Sequence, residues 1–187
     1  MFRLRASSPA IDVVLQRNFG LYTLGSSISL FGMWAHKLAA AWLAWQLTES
    51  SFWVGAVAFC DLAPTVFLAA YAGVIADRYD RRLITLGSQF LGMLQAFVLG
   101  WLMLSGRMTG PGDIWWLLGL TTFLGTVWAF NTAARLSMVP NLVEHRFIPP
   151  AIAINSIIFN LARIVGPAIA GFVMVRWGVG EAFIFNG

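Results

Sequence analysis

Five apolar runs, each about twenty residues or longer, dominate this chain and leave it few ways to fold. They cover residues 19–47, 53–76, 83–104, 114–134 and 151–175, and a sixth opens near Val179. A helix rising 1.5 Å per residue needs about 20 mostly apolar residues to cross a hydrocarbon core of about 30 Å. Lipid offers the backbone no hydrogen-bond partner, so such runs must satisfy their N–H and C=O groups inside helices. Composition agrees: 59% of the residues are hydrophobic and 11% charged, against about 25% charged in a soluble domain. The expected fold is all-α, a polytopic transmembrane helical bundle with five complete spans and the start of a sixth.

The turns between the runs set an orientation. Arg3, Arg5, Arg17, Arg78, Arg81, Arg82, Arg135 and Arg146 fall in segments on one side, and only Arg107 and Arg176 on the other. Cationic side chains stay on the cytoplasmic face, so residues 1–18 are expected to be a cytoplasmic N-terminal segment and 19–187 a transmembrane bundle. The first run is too long for a cleaved signal core. The net charge of +4 follows from this loop bias, so no nucleic-acid partner is expected. One cysteine, Cys60, excludes an internal disulfide. There is no metal-ligand spacing, phosphate-cradling loop or nucleophile–base set, so neither an enzyme nor a cofactor is expected.

The turn at residues 73–82 (GVIADRYDRR) is the most informative stretch. It ends one helix and starts the next within a few residues at the membrane edge. Gly73 lets another helix approach closely. Asp77 is an anion able to face the positive end of a neighbouring helix. Arg78, Arg81 and Arg82 anchor the turn against anionic lipid. A plain positively charged loop would use the same residue types, but the spacing resembles the signature G-x-x-x-D-R-x-G-R-[KR] of the major facilitator superfamily, with Asp80 in place of the second glycine. That variant is similar to the branch containing the enterobactin exporter and macrolide-efflux-like permeases, the transmembrane secretion effectors. Residues 131–135 (NTAAR) and 138–143 (MVPNLV) resemble the exit of that branch's fourth helix. Such a resemblance implies a six-helix N-terminal half, a second bundle facing it, and substrate bound between the two.

Span five supports the same comparison. At 100° per residue, Asn155, Ser156, Asn160 and Arg163 share an arc of about 140°. Ala162, Gly166 and Ala170 form a small-residue stripe beside it, where helices can pack backbone to backbone. Pro167 can kink the helix. With Gly171, these residues resemble the fifth-helix antiporter motif G-x8-G-x3-G-P-x2-G-G, alanine standing for several glycines. Generic close packing would draw on the same stripe. Span four carries no arginine in its interior, unlike drug–proton antiporters.

Three ionisable residues lie within spans at similar depth: Lys37, Asp61 and Arg163. A charge inside the bilayer is expensive and is usually paired or in a wet cavity. They are candidates, with Asn160 and His36, for a substrate or proton site; a structural Lys37–Asp61 pair is the alternative. Trp115 and Trp116 read as interfacial anchors. The expected function is secondary active transport, an exporter of small amphipathic molecules (drug or siderophore-like) by alternating access. Import by the same fold and a non-transporting membrane scaffold remain open. The expected partners are a small-molecule substrate, protons as coupling ion, the lipid of a cell inner membrane, and a C-terminal bundle beyond residue 187.

Overall fold

A computed structural model describes residues 9–187; Arg3 and Arg5 lie outside the described residues. The described residues form helices α1 (Pro9–Val14), α2 (Arg17–Thr48), α3 (Ser51–Arg78), α4 (Arg81–Leu104), α5 (Ile114–Leu142), α6 (Ile148–Arg176) and α7 (Val179–Asn186). The ends follow local chemistry. At the end of α2, Glu49 adopts a left-handed conformation, φ 48°, and its N–H bonds the Trp45 carbonyl. Asp80 caps α4, its carboxylate accepting from the Arg82 N–H at 2.8 Å. Gly106 ends α4 at φ 68°, with Arg107 N–H donating to Leu102 and Gly106 N–H to Met103, the paired bonds of a glycine-terminated helix. Before α5, the Asp113 carboxylate accepts from Thr109 and Gly110 N–H groups, both at 3.0 Å. Those two bonds hold its carboxyl below the usual range.

Among the described residues four helices, α3 to α6, are long and apolar enough to cross a membrane. α2 is longer than any of them at 32 residues, but Ser26, Ser27, Ser29, His36 and Lys37 dilute its apolar character, and it is not among the four.

One boundary differs from expectation. The apolar runs stop at 134 and resume at 151, yet α5 continues to Leu142 and α6 begins at Ile148. Polar residues there mark the exit from hydrocarbon, not the end of the helix. Arg135 is thus inside α5 and not in a loop, with its Nε buried and without a partner. Pro140, two residues before the end of α5, leaves the Leu136 carbonyl without an intrahelical donor. Nearby, the Ser137 carbonyl accepts from Arg81 Nη1 at 3.0 Å, tying the start of α4 to the end of α5.

Packing interleaves the helices. The most extensive contact joins α3 to α5, and the next joins α2 to α6. Trp53 meets Trp115 and Tyr71 meets Phe130, so α3 and α5 run in parallel. Phe19 clusters with Ala151 and Leu43 with Val173, so α2 and α6 are parallel too. α4 runs antiparallel to α5, Gln95 donating to the Leu120 carbonyl at 3.4 Å. α7 packs on α4 through Gly180 and Gly100. The larger apolar core lies toward the Thr48 and Ser51 ends, around Leu43, Leu99, Leu117 and Phe183.

Candidate functional site

Two helix crossings place the interior charges. Gly166 on α6 sits against Phe31, Trp34 and Ala35 of α2; an added Cβ would stand 2.7 Å from Trp34 Cβ and 2.8 Å from the Phe31 carbonyl oxygen. Ala162 and Ala170, one turn to either side, are buried. The second crossing is at Gly125 on α5, where a Cβ would collide with the carbonyl oxygen of Asp61. There Thr65 Oγ1 donates to the Gly125 carbonyl at 3.4 Å. Pro64, inside α3, removes the amide that the Cys60 carbonyl would otherwise bond, beside the same contact.

These crossings bring Lys37 and Arg163 to one indole, with Asp61 paired to Lys37. Lys37 Nζ donates to Asp61 Oδ2 at 2.6 Å. Lys37 Nζ lies 5.4 Å and Arg163 Cζ 5.6 Å from the Trp34 ring centre, both within cation–π range. Trp34 also meets Phe159 edge to face at 5.8 Å. Its Nε1 is buried and has no partner. Behind the ion pair lies a cavity of about 240 Å³ between α2, α3 and α5, reached by Lys37, Asp61, His36 and Thr121. Thr121 Oγ1 and His36 Nε2 are buried without partners, the condition in which a polar site takes up water or a hydrogen-bonding ligand.

The other expected site residues are placed as follows. His36 is buried and turns to α7, its Nδ1 3.3 Å from Asn186 Nδ2 and its ring 5.0 Å from Phe183. Asn160 is not drawn into the cluster: it is exposed and donates to the Ser156 carbonyl of its own helix at 2.8 Å. Pro167 lies inside α6. Gly171 does not belong to the packed stripe; a Cβ there would meet nothing within 4 Å. The same holds at Gly73, where close helix approach was expected: its face is open among the described residues. In the charged turn Asp77, near the end of α3, lies 3.6 Å from Arg81, the first residue of α4. Arg81 also donates through Nε to the Ala76 carbonyl at 3.2 Å, while Arg78 and Arg82 are exposed. The turn is thus fixed by Arg81 and Asp80, and Asp77 keeps a side chain that is 73% exposed.

Sequence reasoning missed Trp34, Thr121 and Gly125. Trp34 stands one turn before Lys37 on the same helical face, a spacing that could have drawn attention to it. Thr121 and Gly125 are unremarked small residues in an apolar run.

The sequence profile of the transmembrane secretion effectors, a major facilitator group, matches residues 10–187. The chain belongs to this family of transporters. It is therefore a member of a transporter family and not of an enzyme family. Among curated relatives, the staphyloferrin A transporter of Staphylococcus aureus is 30% identical over 87% of this chain and 41% of that protein. The uncharacterised transporter YfiS of Bacillus subtilis is 28% identical over 89% of this chain and 39% of that protein. The chain thus spans about two-fifths of the length of these relatives. No solved structure matches it significantly.

Proposed function

We propose that this chain forms one bundle of a secondary active transporter that exports a small amphipathic molecule by alternating access. In this reading α2 to α6 are five spans, α7 opens a sixth, and the N-terminus is cytoplasmic. A second bundle stands opposite, and the turn at residues 73–82 gates the movement between them. The observation that carries the reading is the Lys37–Asp61 ion pair at 2.6 Å, with Lys37 and Arg163 both at the Trp34 ring. Lys37 lies eleven residues before the end of α2 and Asp61 ten after the start of α3, roughly 15 Å along each helix. Charges at such depth are costly and mark substrate or ion pathways. The open face at Gly73 is where a facing bundle has room to pack. The staphyloferrin A transporter among the relatives supports a small-molecule cargo.

The test is transport by the complete protein in vesicles with an imposed pH gradient, measured per folded molecule. Asp61→Asn and Arg163→Ala should each lower it more than Arg146→Ala, a loop change. Unchanged transport per molecule in both would make the cluster structural. Net uptake against the substrate gradient would replace export by import.

A further inference from the structure

The charges around Trp34 do not balance. Lys37 and Asp61 neutralise each other at 2.6 Å. Arg163 shares the indole with Lys37, and no carboxylate lies within salt-bridge distance of it among the described residues. It is thirteen residues from the nearer end of α6, about 20 Å along the helix, and a guanidinium does not shed its proton. The residue is exposed on the surface of the described bundle, so an incoming group can reach it. The second deficit at this indole has the same sign. Trp34 Nε1 is buried and lacks an acceptor, and an indole N–H can only donate. What is missing beside Trp34 is therefore negative charge and acceptor capacity. Phe159, 42% exposed, meets Trp34 edge to face and adds an apolar wall.

We propose that Arg163 recognises an organic carboxylate, whose head takes the guanidinium and whose apolar body lies along Phe159 and Trp34. This rests on the transporter reading above and names the substrate class. A carboxylate is planar and accepts at two points, which matches the fork of a guanidinium. Lys37, already engaged by Asp61, is left out of the contact. With one monocarboxylate bound, two cations face two anions and the cluster is neutral. The same chemistry has a second source, an acidic side chain elsewhere in the complete protein, and the test separates the two.

The complete transporter in detergent is titrated with 4-phenylbutyrate, phenylsuccinate and the neutral amide 4-phenylbutyramide, reading binding by calorimetry. Both carboxylates should bind about tenfold or more tighter than the amide, the size of a charge-assisted contact. Arg163→Gln should bring the carboxylates down to the amide, and Arg163→Lys should restore part of the preference. Asp61→Asn, which removes the nearby anion and frees Lys37, should strengthen carboxylate binding. Equal binding of acid and amide, no binding of either carboxylate, or a preference that survives Arg163→Gln overturns the proposal. If wild type shows no preference and Arg163→Gln destabilises the unliganded protein, the partner is an acidic side chain of the protein itself and the ligand proposal fails. Transport of a neutral substrate by a wild type without carboxylate preference would sink this inference alone. Carboxylate binding without any transport would sink the transporter reading instead.

Discussion

Asp61 is 16% exposed in its side chain and Lys37 37%, so breaking their contact leaves a charge with little water to replace its partner. Removing one member of a buried pair costs about 3–5 kcal/mol, and exposure at Lys37 lowers that figure here. Asp61→Asn should therefore lower the melting temperature, and adding Lys37→Met should recover most of the loss, because the double variant carries no orphaned charge. A double variant as unstable as the single one would mean that Lys37 is held by something other than Asp61. These two residues, with Arg163, were legible in the sequence because a charge inside an apolar run stands out. Trp34, Thr121 and Gly125 were not, because aromatic and small residues are ordinary there. Only the fold shows that Gly125 bears on the Asp61 carbonyl. Gly73 has no close neighbour among the described residues, so the helix approach expected there has no partner within this bundle.

At the level of elements, the crossing of α6 on α2 depends on the absence of a side chain at Gly166. Gly166→Ala must displace backbone at the Phe31 carbonyl, so it should destabilise by about 1–3 kcal/mol. Gly171→Ala, five residues on and facing open space, should be neutral or gain up to about 1 kcal/mol from helix propensity. Thermal unfolding of the two variants in detergent compares them directly, and equal losses would remove the crossing from the account. The turn before α5 has a pH signature. Backbone N–H groups of Gly110 and Thr109 lower the Asp113 carboxyl, so its stabilising effect is present above the ordinary carboxylate range and disappears as pH falls through the lowered folded value. Asp113→Ala should thus melt below wild type at neutral pH and match it in strong acid; a gap unchanged with pH would mean the carboxylate is not the stabilising group. In the charged turn, Asp77 is exposed and makes only a long contact to Arg81. Asp77→Asn should leave folding intact and slow transport by the complete protein, and wild-type rates would reduce the turn to an anchor. The all-helical class and most boundaries of α2 to α6 could be read from apolar runs, but α1 and the end of α5 could not: hydropathy records where the solvent changes, whereas a helix stops only where its hydrogen bonds do.

For the whole molecule, the topology expected from the arginine bias has a direct check. Cysteines placed at Ser50, between α2 and α3, and at Glu144, between α5 and α6, should react with impermeant reagent from opposite sides of the membrane. Reaction from one side would refute the arrangement. The interleaved packing described above also bears on synthesis. Lys37 meets Asp61 only 24 residues later in the chain, whereas the α6 surface that covers α2 follows after three further helices have been made. A nascent chain can therefore neutralise its first intramembrane charge as a two-helix hairpin, long before the helix that buries Trp34 leaves the ribosome. The ion pair is the earliest tertiary contact on offer among the interior charges, and Arg163 arrives last, into a site whose other two charges are already matched.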